Sequence, residues 1–499
     1  MKTFLVFIEV CCILFGSYLL AAGEVIPKPW QARYGANLGP LGRVTILTQK
    51  GIDATTKKRL LELIQGMTSE EILQYDLKSN ASATKTLIML GSPTDSKIER
   101  YINMLNLNRD WSQLGSQGYL LYAGEVKNKI IILMVANTEV GRYYALQSLK
   151  QLHVTNGNEF YFRAATIVDR PLYETRGIVF GDFKRWFNGP PVIHDRKTIY
   201  TGWPYRERAQ QLKFNFVWLA GWDDARKRST LPFNDSDKKN LKAFFEDCSK
   251  NFITPSVGLR PYRQFPFPGR EKGGVMYSSQ QDVEGVTRNL LTLYSIGFRN
   301  LYLAFDDIPP DSYFLYDQDK AMFKHLGEAH YHFISRVYSK LKKVAPDIVF
   351  RIIPTEYSGV HNLTEGGKAY LKSVSMLPKE IEFVWSGRTY RDPVADSKEA
   401  QDFSHVSGDR KIIVWSNYYP GKYYPKAAGQ TPIPKIVAPF KGGDENLFRF
   451  TSGFFFLPVD QPNEDGAHVS WYTTSDYMWR PSDYSPDDSF NRALKYTAK

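Results

Sequence analysis

The 499-residue chain is 43% hydrophobic, 14% aromatic and 23% charged, which excludes a disordered or low-complexity protein and supplies two or three domains, or a small domain beside a large barrel. Lysine and arginine total 64 against 52 acidic residues, a net charge of +12 that suits anionic partners such as acidic glycans, nucleic acids or membrane surfaces. No basic run or nucleic-acid motif accompanies it, and 31 Tyr, 31 Phe and 10 Trp favour stacking against rings, sugars included, so no specific nucleic-acid partner is expected.

Met1-Lys2, an apolar stretch from Phe4 to Leu20 and Ala21-Ala22-Gly23 read as a secretory signal peptide cut near Gly23. Glu9 within the apolar stretch argues against a lasting anchor, and no later segment is long and apolar enough to span a bilayer. Cys11 and Cys12 leave with the signal, so the mature chain keeps Cys248 alone and relies on its core rather than on disulfides. Sequons at Asn80, Asn234 and Asn362 agree with a secreted glycoprotein.

From residue 24 to about 170 the pattern is mixed. Strands are expected at Arg43–Thr48, Thr86–Gly91, Tyr119–Tyr122 and Ile130–Val135, with helices at Ala54–Gln65 and Glu139–Leu152, making a small α+β domain. After Asp169-Arg-Pro171 short apolar runs alternate with amphipathic stretches. Expected strands are Gly177–Gly181, Phe214–Ala220, Ile253–Leu259, Asn300–Phe305, Ile348–Ile353, Glu380–Trp385, Lys411–Trp415 and Phe450–Leu457. Helices are expected at Tyr205–Lys213, Ser236–Lys250, Gln280–Ile296, Met322–Lys343 and Gly366–Leu377. Eight strands make a (β/α)8 barrel over residues 171–482, with 483–499 as a tail, so the fold class is α/β: a TIM-type barrel preceded by the α+β accessory domain.

In such a barrel, chemistry collects at the carboxyl ends of the strands. The fourth runs into Asp306-Asp307-Ile-Pro-Pro310, placing adjacent carboxylates at the rim. Mutual repulsion and partial burial let one stay protonated while the other is ionised, the division glycoside cleavage needs. A pair of aspartates also serves to cap a helix. The fifth, sixth and seventh strands end in Pro354-Thr-Glu-Tyr357, Trp385-Ser-Gly387 and Trp415-Ser-Asn417, offering rings and an amide to a sugar; the second ends in Trp222-Asp223-Asp224. The eight histidines lack zinc spacing, and neither a phosphate-binding glycine loop nor a serine-hydrolase elbow is present. No metal or organic cofactor is expected.

Arg176-Gly-Ile-Val-Phe-Gly181, Phe305-Asp-Asp-Ile308, Pro354-Thr-Glu-Tyr357, Trp415-Ser-Asn417 and the stretch Tyr472–Trp479, in this order behind Val140–Leu149, resemble glycoside hydrolase family 84, which contains O-GlcNAcases and bacterial hyaluronidase-type β-N-acetylglucosaminidases. The resemblance covers nearly the whole mature chain. It implies a retaining mechanism in which the sugar's 2-acetamido oxygen attacks its own anomeric carbon. Asp306 would polarise the acetamido nitrogen and Asp307 would serve as general acid and then base. Asn417 and Tyr357 would contact the acetamido group and the reacting centre, the Gly181 backbone would lie against the sugar, and Trp222, Asp223, Trp385 and Lys422 complete the substrate-binding set.

The chain also departs from the family pattern. Trp222 stands where a lysine is usual, Lys422 where an aspartate grips the outer hydroxyls, Phe180 where a glutamate precedes the glycine, and an asparagine expected near Leu457 is replaced. A cation in place of a hydroxyl-binding carboxylate points to a sulfated or otherwise anionic, glycosaminoglycan-like glycan; a Lys422 directed to solvent is the plainer alternative. The expected function is a secreted exo-β-N-acetylhexosaminidase. The competing readings are an inactive carbohydrate-binding protein on the same fold and a glycosidase for a sugar without an acetamido group.

Overall fold

The computed structural model describes residues 24–79, 84–157, 159–181, 183–188, 191–194, 197–200, 205–220, 229–261, 274–306, 308, 316–392, 394–417, 438–457 and 464–497. The expected signal segment and Asn80 lie outside them. The chain forms two compact units: Met1–Leu172 with Gln211–Lys213 and Asp487–Lys499, and Tyr173–Gln210 with Phe214–Pro486. No helix among the described residues is long and apolar enough to cross a membrane.

The first unit is built on a mixed eight-stranded sheet: β1 (Gln31–Asn37), β2 (Val44–Thr48), β3 (Ile72–Asp76), β4 (Thr86–Gly91), β5 (Tyr119–Val126), β6 (Lys129–Val135), β7 (His153–Asn156) and β8 (Glu159–Asp169). The spatial order is β1-β8-β5-β6-β4-β2-β3, with β7 on β8. The unbroken apolar run Ile130–Val135 is buried on both faces and takes a central place. The helix Ser96–Met104 sets Ile98 and Ile102, one turn apart, into a core with Leu47, Met89, Leu120 and Leu133. Strands β1 and β3 are largely exposed, so backbone pairing rather than an apolar face holds them, and no hydrophobic alternation announces them. The stretch 483–499, expected as a tail, contains the helix Pro486–Thr497, most of which falls in the first unit.

The second unit is a closed barrel of eight parallel strands: β9 (Arg176–Phe180), then, after the hairpin β10 (Pro191–His194) and β11 (Lys197–Tyr200), β12 (Phe216–Leu219), β13 (Thr254–Leu259), β14 (Asn300–Ala304), β15 (Val349–Ile353), β16 (Glu382–Trp385), β17 (Ile412–Ser416) and β18 (Phe454–Phe456). All eight expected strands are there. The last is shorter than Phe450–Leu457, because Leu447–Arg449 forms a 3₁₀ turn just before it.

Register decides which side chains fill the barrel. Val179 pairs with Trp218, Gly258 with Tyr302, Ala304 with Ile353, Val384 with Ile413 and Trp415 with Phe455. The apolar members of these pairs form one buried cluster, so they point inward. Five rings dominate it, with Trp218 centred 4.4 Å from Tyr302, 5.2 Å from Phe455 and 5.5 Å from Trp415, and Phe216 stacked 4.8 Å from Phe455. Two glycines make this possible. A Cβ at Gly177 would lie 2.0 Å from Phe455 Cδ1, and one at Gly258 would lie 2.5 Å from Tyr302 Cγ. The result is an aromatic floor beneath the carboxyl ends of the strands.

Candidate active site

Side chains alternate across a strand, so one further inward step from that floor reaches Gly181, Ala220, Arg260, Asp306, Thr355, Ser386, Asn417 and Leu457. Contacts support this layer: Ala220 belongs to the interior cluster, Leu457 packs against it, Asn417 meets Trp415 of that cluster, and Asp306 meets Arg260 of the layer itself. Trp415 Nε1 donates to Asn417 Oδ1 at 2.9 Å. The bond orients the buried amide and leaves its Nδ2 hydrogens for another acceptor.

Asp306 sits at the end of β14 with its side chain 19% exposed, and the Arg260 guanidinium reaches to 3.7 Å from its Oδ2. Arg260 comes directly after β13. The sequence does not single it out, because a lone arginine after a strand carries no motif. Only the register of β13 against β14 makes it the neighbour of Asp306. Tyr357 is partly buried against the interior cluster, and its ring meets Tyr390 edge-on with centroids 6.0 Å apart. Glu356, of opposite parity, lies by the amino-terminal turn of the helix Glu365–Val374, where a Cβ at Gly367 would come within 3.0 Å of its Oε1.

Trp385 does not join the mouth. It comes after the inward Val384, so its ring turns outward, is fully buried and packs on Phe403 of the helix Ser397–Val406. It is a packing residue between barrel and helix, which corrects the expected sugar contact. Gly181 is described and partly buried, directly after β9. Asp307, Trp222, Asp223 and Lys422 lie outside the described residues. Among the described residues no group of three or more His, Cys, Asp or Glu side chains is placed to hold a metal ion.

The strand ends carrying Asp306 and Tyr357 are tied together from behind. Thr355 Oγ1 donates to the Phe305 carbonyl at 2.9 Å, and the Thr355 amide donates to the Tyr370 hydroxyl at 3.0 Å. His330 Nδ1 lies 3.1 Å from the same hydroxyl, and its ring packs on Phe305 at 4.2 Å. Burial pushes the imidazole down to about 3, so it stays neutral, and burial pushes the Tyr370 phenol up. Tyr370→Phe removes the hydroxyl and leaves the buried Thr355 amide and His330 nitrogen without it. Stability is expected to fall by about 1–3 kcal/mol. Because small displacements of reacting groups are costly, kcat is expected to fall about 10-fold with KM changed much less. Separate kcat and KM values check this, and an unchanged kcat in the folded variant would show that the anchor does not set the position of Asp306.

Residues 203–499, more than half of the chain, match a family model described as beta-N-acetylglucosaminidase, and residues 22–170 match glycosyl hydrolase family 20, domain 2. Among solved structures, CpGH84B is similar at a TM-score of 0.67 and 20% identity over 95% of this chain and 74% of its own. CpGH84D gives 0.66 and 17% over 95% and 72%. A mutant of the Thermobaculum terrenum O-GlcNAc hydrolase gives 0.52 and 21% over 65% and 63%. At these identities the structures bear on the fold, which is the same barrel behind an accessory domain, while the family model bears on the chain itself. With the aspartate at the end of the fourth barrel strand, the match means that the chain belongs to the β-N-acetylglucosaminidases of glycoside hydrolase family 84 and is a hexosaminidase-type glycoside hydrolase.

Proposed function

We propose that the protein is a retaining exo-β-N-acetylglucosaminidase that uses the acetamido group of its substrate as the nucleophile and acts on anionic glycans in a secretory compartment. The observation that carries the reading is the position of Asp306, which continues the inward layer of β14 above an aromatic floor and shares that layer with an amide oriented by Trp415. In the proposed reaction Asp306 accepts a hydrogen bond from the acetamido N–H, which raises the electron density on the amide oxygen. That oxygen bonds to the anomeric carbon as the glycosidic C–O bond breaks, and Asp307 delivers its proton to the departing oxygen. Water then adds to the anomeric carbon, loses a proton to Asp307 and displaces the amide oxygen, so two inversions give retention. Asn417, with donors still available, and Tyr357 steady the acetamido group. The signal-like start of the chain and the sequon at Asn362, which is exposed, support a secretory route.

Hydrolysis of an aryl β-N-acetylglucosaminide, with the anomer released followed by NMR, tests the reading. Release of the β-anomer first, together with inhibition by a thiazoline analogue of the cyclised intermediate, is expected. Release of the α-anomer would overturn the mechanism. Absence of turnover by the folded protein would leave a carbohydrate-binding protein or an enzyme for another glycoside.

A further inference from the structure

We infer that Arg260 is the residue through which this site recognises a negatively charged substituent on the sugar, carried on O3 next to the acetamido-bearing carbon. The inference rests on the function proposed above and deepens it.

The Arg260 side chain is only 11% exposed, so its charge sits in a partly desolvated mouth rather than in bulk water. Its described ion pair is a single approach to Asp306 Oδ2 at 3.7 Å, beyond hydrogen-bonding length, and its Nε is buried with no hydrogen-bond partner among the described residues. A guanidinium has five N–H donors in a planar fork built for two oxygens at once. Among the described residues most of that fork is unspent, which is costly for a shielded cation unless a ligand completes it.

The barrel order says where such a ligand sits. Strands run β12-β13-β14-β15-β16-β17 around the mouth, so Arg260 flanks Asp306 on one side while Tyr357 and Asn417 lie on the other. In the proposed reaction Tyr357 and Asn417 take the acetamido group and Asp307 takes the oxygen on C1. The remaining neighbour of C2 is C3, and its substituent falls to Arg260. When Asp306 turns its charge to the acetamido N–H, a carboxylate or sulfate on O3 replaces it as the counter-charge. Both groups present the paired oxygens a guanidinium prefers.

The test compares three aryl β-N-acetylglucosaminides: unsubstituted, bearing a carboxymethyl ether on O3, and bearing the neutral carboxamide of that ether. The reading is the ratio of kcat/KM for the acid over the amide, measured for wild type, Arg260→Gln and Arg260→Lys. The wild-type ratio is expected to be about 10- to 100-fold, the span of one charge-assisted pair. It should fall to near one in Arg260→Gln and be partly kept in Arg260→Lys. A wild-type ratio near one overturns the inference while turnover of the unsubstituted glycoside leaves the proposed function standing. An unaltered ratio in Arg260→Gln, with all substrates slowed alike, also overturns it and reduces Arg260 to a positioning partner of Asp306. No turnover of any of the three by wild type removes the proposed function and the inference with it.

Discussion

Asp307→Asn is expected to lower kcat/KM by about 100- to 10,000-fold on an alkyl β-N-acetylglucosaminide, whose leaving oxygen must be protonated as it departs. On a dinitrophenyl glycoside, whose leaving group departs as a stable anion, the loss in kcat/KM should nearly vanish, and the cost of the second step should show in kcat instead. Asp306→Asn behaves differently. Its carboxylate acts on the nucleophilic amide rather than on the leaving oxygen, so a loss of about 100- to 1,000-fold is expected on both substrates. A Brønsted series of leaving groups measured for wild type and both variants checks the assignment. If the Asp306 variant shows the steep dependence and the Asp307 variant the flat one, the roles are exchanged. If neither variant loses activity, the pair is not the catalytic machinery.

The second large effect is on stability and lies in the first unit. Lys213 and Asp169 are both fully buried and stand 3.6 Å apart. Asp169 also accepts from the Trp30 amide at 3.0 Å and from the Tyr119 hydroxyl at 2.7 Å, and the Lys213 ammonium lies 5.4 Å from the centre of the Tyr119 ring. Burial, followed by the negative charge of Asp169, pushes the Tyr119 phenol up, so it stays a donor. Removing one member of a buried pair leaves the other charge in a low-dielectric interior. Lys213→Met is therefore expected to destabilise by about 3–5 kcal/mol, where an exposed pair such as Lys58 with Glu62 is worth about 0–1 kcal/mol. Urea unfolding of wild type, Lys213→Met and Lys58→Met checks this. A loss below about 1 kcal/mol for Lys213→Met would mean that water reaches the remaining carboxylate and that the pair is not held in a low-dielectric interior.

The elements legible in the sequence are those whose burial is written into local pattern. Ala54–Gln65 and Gln280–Ile296 form over the expected residues, with Asp53 and Ser279 capping them. The eight barrel strands are legible because parallel strands buried on both faces read as short unbroken apolar runs between helices. Edge strands β1 and β3 are not, since pairing alone holds them. Nor is the helix Ser397–Val406; its buried side chains are Ala400 and Phe403, too few for a clear apolar stripe.

The candidate site divides along the same line. Asp306, Asp307, Tyr357 and Asn417 are nominated by the sequence because they come directly after apolar runs, and strand ends in a barrel converge wherever the strands are drawn. Trp385 is nominated on the same ground, and the direction of its side chain defeats it. A shift of one residue along a strand exchanges inside for outside, and strand-end position does not carry that parity. Arg260 shows the converse. Nothing in Gly258-Leu-Arg260 marks an ionic partner, yet pairing Gly258 with Tyr302 sets Arg260 level with Ala304, from where its long side chain reaches Asp306 one inward step further on. The Thr355, Tyr370 and His330 anchor likewise joins residues up to 40 positions apart that share no motif. The sequence by itself determined the barrel and nominated the aspartate pair, because these rest on local hydrophobic pattern and on the residue types at the strand ends. Inward parity, the cation beside Asp306 and the anchor behind it were decided by the tertiary structure, because they depend on the register between strands, which is settled only when the barrel closes.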